Sequence, residues 1–228
     1  MVNRISLFIV AFSLFWLTTT NAQAPNQGLP ATIPIFPLTD IMLFPGASRP
    51  LHIFEERYRE MVADVLEGDR IIGMVMLRPG YEDSYEGNPP VYEIGCAGII
   101  SNVERLPDGQ YNIVLQGISR FRIENEDHSK PYRVAHVLPL SDAIDETDRD
   151  RLREQRPLLL ELLSFITPGQ SPTPEELPDE LLVNGLAQFL GMSPVNRLDL
   201  LRQNGPLMRT ENLMTLLGRI LIQQVPLI

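Results

Sequence analysis

Residue types able to carry covalent or metal chemistry are few in this chain, and their spacing limits what they can do. There is one lysine, Lys130, preceded by Ser129; one cysteine, Cys96, in the run Glu93-Ile94-Gly95-Cys96-Ala97-Gly98; and three scattered histidines, His52, His128 and His136. Nucleotide hydrolysis of the phosphate-loop type needs a glycine-rich loop ending in Gly-Lys-Ser/Thr, and no such loop leads into Lys130. A serine nucleophile activated by a lysine would have to use this same Lys130, which lies in the charged turn 124–131. Zinc needs three or four clustered donors, and the histidines form no His-Glu-x-x-His pair. The lone cysteine excludes an internal disulfide and reads as a buried thiol in an apolar setting. Carboxylates are abundant but none stands apart from solvated helix faces and turns. The expectation is a chain with no catalytic residue, no metal and no cofactor, that is, not an enzyme.

Binding chemistry is the remaining possibility. Met42, Phe44 and Arg49 flank the Pro45-Gly46 corner, and Tyr81 and Tyr85 lie in a polar loop, 78–90, that contains glycine and proline. Loops carried by a rigid scaffold are where recognition tends to sit, and apolar side chains left at their surface would suit unfolded polypeptide segments. These five residues are the candidate protein-binding set, with core packing as the alternative for Met42 and Phe44. Charge argues against nucleic acid as a partner: the net charge is −10 over 228 residues, and neither half carries a broad basic field.

The elements that must position these residues follow from periodicity. With 44% hydrophobic residues the chain can bury a good core in one or two domains. Ile33 to Phe36 is a short strand bracketed by prolines, and Pro45-Gly46 suits the centre of a type II turn. Phe54, Tyr58, Met61, Val62, Val65 and Leu66 recur at helical spacing, with Gly68 as a C-cap. Ile71 to Leu77 is a continuous apolar run fit for a strand buried on both faces. Residues 91–104 read as one or two strands hinged at Gly95 and Gly98. Leu106-Pro107-Asp108-Gly109 is a turn, and residues 111–124 and 132–138 alternate as strands. So many strands with one early helix imply a closed or nearly closed barrel. After an acidic link at 141–151 the pattern is helical: a leucine-rich stretch to Ile166 in which Pro157 must start, break or kink a helix, a capping box at Thr173-Pro174-Glu175-Glu176, and a further helix opened by Ser193-Pro194.

The amino terminus has the layout of a secretory signal, with Arg4, an apolar stretch from Ile5 to Leu17 and Ala22-Gln23-Ala24 at cleavage spacing. As a helix that stretch reaches about 20 Å against a hydrocarbon layer of roughly 30 Å, so a cleaved signal fits better than a span. An uncleaved anchor, or a misassigned start of a cytoplasmic protein, is the alternative. The domain plan is a signal peptide at 1–24, a tether at 25–32, a β-barrel at 33–140 and a helical bundle at 141–228, with export to the periplasm or outside if the signal is cut.

The stretch Leu43-Phe44-Pro45-Gly46, the run from Pro50 to Tyr58, Ile94-Gly95-Cys96-Ala97, the segment from Pro107 to Ile113 and the run from Gly117 to Ile123 together resemble the LON peptidase N-terminal domain. The resemblance implies an α+β fold, a PUA-like pseudo-barrel with an early helix followed by an α-helical bundle. It also implies a non-catalytic module that captures exposed segments of client polypeptides, working alone without ATPase or protease parts. A cytoplasmic adaptor delivering substrates to a protease is the nearest alternative, and an RNA-binding module of the PUA-like kind the next.

Overall fold

The computed structural model describes residues 28–81, 87–166 and 177–224. The signal peptide, the first part of the tether, Tyr85 and the capping box at Thr173 lie outside the described residues. Six strands and five helices follow in order: β1 (Thr32–Leu38), β2 (Ser48–Ile53), α1 (Glu56–Leu66), β3 (Ile71–Met76), β4 (Ile94–Arg105), β5 (Tyr111–Asp127), β6 (Val134–Leu140), α2 (Glu146–Ile166), α3 (Asp179–Phe189), α4 (Pro194–Arg202) and α5 (Gly205–Gln224).

The sheet runs β2-β5-β4-β3-β1-β6, and β6 also pairs with β5. Five strands therefore close into a ring while β2 hangs outside it, bonded only to β5. The ring is not a regular barrel. β1 and β3 are parallel, and the chain between them must cross over, which it does through β2 and α1. Long β5 serves β2 with its first half and β6 with its second, and irregularities at Ala97/Gly98, Ile100/Asn102 and Ile123/Asn125 bend the strands that share this load. The glycine predicted as a hinge at 98 sits at one of these bulges.

Strand alternation sends one set of residues into the ring. Ile33, Ile35, Val75, Ala97, Phe121, Ala135 and Val137 form a small cluster with contributions from all five ring strands. Phe121 fills its centre: a Cβ on Gly73 or Gly95 would come within 2.8 and 2.7 Å of that ring, so these glycines are the room Phe121 occupies. The opposite faces join a larger cluster in which Met42, Phe44, Met61 and Met74 pack with Leu159, Leu182, Leu198, Leu213 and Leu217 of the helices. Strands and helices thus share one hydrophobic core.

Several local expectations shift. Phe54 is exposed outside α1 and stacks on His52 instead of packing in the helix seam. Helix α1 ends at Leu66 with Glu67 as its C-cap, and the left-handed residue after it is Arg70 (φ 61°), not Gly68; the Arg70 N–H donates to Val65 O at 2.9 Å. Helix α2 begins at Glu146 and continues through Pro157. Pro157 lies on an exposed flank, and Arg153, whose carbonyl it leaves without a helix partner, is itself an exposed residue. Ser193 caps α4 as expected, its Oγ accepting from Asn196 N at 3.2 Å with Pro194 in the first turn.

Candidate functional site

Residues with catalytic potential are separated from one another. Lys130 Nζ donates to Asp64 Oδ2 at 2.6 Å and to the Tyr132 hydroxyl at 2.8 Å, and that hydroxyl donates to the same carboxylate oxygen at 2.5 Å. The Asp64 carboxylate, then the Tyr132 oxygen, push the ammonium pKa up, which holds it as a cation and opposes any role as a general base. Cys96 is enclosed, and burial raises its thiol pKa far above the usual range. His52 Nδ1 pairs with Asn112 Oδ1 at 2.8 Å and His136 Nδ1 with Thr32 Oγ1 at 3.2 Å. Among the described residues no group of three or more His, Cys, Asp or Glu side chains is placed to hold a metal, and no helix is long and apolar enough to cross a membrane.

Of the binding candidates, Met42 and Phe44 are buried and are not surface contacts. The physical reason is a clamp from the far end of the chain. Phe44 N donates to Gln188 Oε1 at 3.0 Å, Gln188 Nε2 to Ser48 O at 2.9 Å, and Asn184 Nδ2 to Pro45 O at 2.9 Å. Two amide side chains, one turn apart on α3, thereby hold the loop that the Pro45-Gly46 corner reverses. The corner is a type II turn, with Gly46 at φ 76° and Ala47 N bonded to Phe44 O at 3.1 Å. Beneath it, Gly117 bonds Gly46 and Ala47, and a Cβ on Gly117 would lie 2.1 Å from Phe44 O. Arg49 is half-buried on β2, and Tyr81 is 48% exposed.

Sequence reasoning missed this clamp and a second polar centre behind it. Arg120 of β5 and Arg209 of α5, both buried, share Asp142: Arg120 Nη2 is 2.6 Å from Oδ1, and Arg209 Nη2 is 3.4 Å from Oδ2. Their other donors go to Leu201 O (3.0 Å), Ser141 O (3.2 Å), Leu200 O (3.1 Å) and Asn184 Oδ1. Burial lowers the Arg209 pKa and the Asp142 charge opposes that fall. Such a centre fixes geometry more than it adds stability, because two cations are desolvated for one carboxylate. It locks the ring, the link after β6 and three helices into one frame. The available signal was Asn184 and Gln188, amides spaced by four beside Val183 and Ala187 on a helix face that is otherwise apolar.

On that frame the chain end of β3 opens an apolar groove of about 290 Å³. Leu77 continues the strand into a single bridge with Val91, and Leu77 N donates to Leu38 O at 2.9 Å. Met76 and Leu77 form the floor, Pro79, Pro89 and Pro194 the walls, and Tyr81 and Val195 the rim. Prolines offer no N–H, so the walls are poor in donors. Val195, 52% exposed at the start of α4, leaves an apolar edge in water beside Tyr81. The volume lies at the small end of ligand cavities, which suits one or two apolar side chains of an extended segment. Thr39 and Arg78 supply the polar groups of the lining.

The family profile described as the ATP-dependent protease La (LON) substrate-binding domain matches residues 32–219. A Lon protease of Dictyoglomus thermophilum is 30% identical over 161 residues, which cover 71% of this chain and 19% of the relative. One from Trichlorobacter lovleyi is 28% identical over 200 residues, covering 84% of this chain and 24% of the relative. The chain therefore spans less than a quarter of the length of these curated proteins. Among solved structures, a Lon N-terminal domain protein from Xanthomonas campestris has TM-score 0.60 and 27% identity, covering 81% of this chain and 97% of that one. The N-terminal domain of Mycobacterium avium complex Lon protease has the same TM-score at 15% identity, a likeness of fold alone. Matched over both its ring of strands and its helices, the chain belongs to the Lon substrate-binding domain family.

Proposed function

We propose that this protein is a non-catalytic polypeptide-binding module that takes exposed apolar segments of client chains into the groove between the end of β3 and the start of α4. The observation that carries this reading is the juxtaposition of Tyr81 and Val195, both exposed, over an apolar floor walled by prolines. Membership of a substrate-binding family supports it. Residues 1–24, read as a cleaved signal, make the client a periplasmic or secreted protein. A cytoplasmic adaptor that passes clients to a protease is the second reading, favoured by relatives that are Lon proteases. Full-length protein in excess is expected to slow aggregation of a reduced, unfolded client followed by light scattering, and Val195→Glu is expected to weaken this at unchanged melting temperature. No protection by the unaltered protein at excess sinks the reading. Detection of intact residues 1–24 in native protein favours the adaptor over a cleaved, exported form.

A further inference from the structure

Arg49 and Arg197 belong to the arginines of this acidic chain that have no carboxylate partner among the described residues. Arg57, Arg120, Arg133, Arg151, Arg156 and Arg202 each have one, whereas Arg49 and Arg197, like Arg59, Arg70, Arg78, Arg105, Arg122 and Arg219, are in no ion pair there. Arg49 spends one long bond on a neutral carbonyl, Nη2 to Met42 O at 3.4 Å. Arg197 reaches Asp40 O at 3.2 Å and Leu190 O at 3.3 Å, again carbonyls, while the Asp40 carboxylate accepts from Thr39 Oγ1 at 3.5 Å. Each keeps an Nε without a hydrogen-bond partner. Burial, and then the charge of Arg197, hold the Arg49 guanidinium below its ordinary pKa, so the two cations feel one another.

Beside Arg49 stands Phe189, the last residue of α3, 63% exposed, with the Arg49 guanidinium 5.2 Å from its ring centroid, and Arg197 donates to the carbonyl of the next residue, Leu190. Three elements meet here, β2, α3 and α4, and the Gln188 and Asn184 clamp fixes two of them to each other. Two like charges near one another with no carboxylate partner among the described residues are unfavourable, and a carboxylate accepting from both would lower that cost. The 5.2 Å separation restricts the ligand further. Neighbouring side chains of an extended segment point to opposite faces, and same-face neighbours are roughly 6.6 Å apart. An α-carboxylate and the side chain of its own residue are closer than that.

We infer that Arg49, Arg197 and Phe189 form a site for the C-terminal residue of a polypeptide, the two arginines taking its free α-carboxylate and Phe189 its large apolar side chain. This rests on the polypeptide-binding reading and adds to it a preference for chain ends. The test uses full-length protein and three fluorescent decapeptides of one sequence: ending in Phe with a free carboxylate, ending in Phe amide, and ending in Ser with a free carboxylate. Anisotropy titrations are expected to show the Phe acid bound about tenfold or more tighter than the amide, and tighter than the Ser acid. Arg49→Gln and Arg197→Gln are expected to erase the acid preference, and Phe189→Ser to erase the preference for Phe while leaving that for the acid. Acid and amide binding within twofold of each other overturns the inference, and this comparison needs no variant. If a reduced, unfolded client binds but the acid preference is missing, only the chain-end site fails. Should neither client nor peptide bind, the polypeptide-binding reading fails and this one with it.

Discussion

Replacing Gln188 with methionine isolates the clamp on the Pro45-Gly46 loop, because Met is close to Gln in volume and differs mainly in its lost amide. Two hydrogen bonds vanish, from Phe44 N at 3.0 Å and to Ser48 O at 2.9 Å. The two losses are unequal. Phe44 N–H belongs to a buried residue and is left without an acceptor, at about 1–3 kcal/mol, whereas Ser48 lies on an exposed edge where water can replace the amide, so its share is about 0.5–1 kcal/mol. The expected total is about 1.5–4 kcal/mol. Urea unfolding should show this as a lower midpoint at unchanged slope, since the surface exposed on unfolding is the same. Amide exchange at Phe44 should accelerate ahead of exchange in β4, because the loop is freed while the ring stays closed. A Gln188→Met protein within 0.5 kcal/mol of the parent, with Phe44 still protected, would show that packing of Leu43 and Phe44 holds the loop and that the amides are incidental.

Two further outcomes follow from local geometry. Arg70 pays for a left-handed backbone, φ 61°, that glycine adopts freely, so Arg70→Gly should raise stability by roughly 0.5–1 kcal/mol, read from the urea midpoint; a fall would mean that its side chain contributes more than its backbone costs. The Asp64, Lys130 and Tyr132 cluster predicts a pH profile. Hydrogen bonds from Lys130 and Tyr132 hold the Asp64 carboxyl below its ordinary value, so its contribution is present above that value and lost as pH falls through the depressed one. The Asp64 bond raises Lys130, and burial followed by Asp64 raises Tyr132, so their contributions are present below the ordinary amine and phenol values and lost as pH rises through the raised ones. The stability difference between parent and Asp64→Asn should therefore peak between the carboxylate and phenol ranges and shrink at both ends; a difference independent of pH would count against the cluster.

How much could be read in the sequence depends on whether the cause is local. The type II turn at Pro45-Gly46, the buried strand at 71–76 and the Ser193 cap each follow from a few neighbouring residues, and each is present. Burial of Met42 and Phe44 is decided by Asn184 and Gln188, more than a hundred positions away, and no local pattern announces which loop a helix will clamp. The Arg120, Asp142 and Arg209 centre was hidden for the same reason: each residue alone reads as a solvated charge. The exposed groove was half legible. Tyr81 stood out as an aromatic residue in a proline-containing loop, but Val195 looked like any apolar residue at a helix start.

The position of β2 bears on how a polypeptide can be held. β2 lies outside the ring and so presents a free edge, the kind of edge that often recruits an extended peptide as an extra strand. Gly117 N bonds to Ala47 O, which fixes the phase: Arg49, Leu51 and Ile53 direct their backbone groups to β5, and Ser48, Pro50 and His52 direct theirs outward. Of these three, the Ser48 carbonyl is taken by Gln188 and Pro50 has no N–H to give. Only His52 is left with a complete outward pair, too little for a ladder. Strand addition at β2 is therefore opposed by the same α3 clamp that buries Phe44, and the polypeptide binding we propose works instead through side chains, in the apolar groove at Tyr81 and Val195 and at Arg49, Arg197 and Phe189.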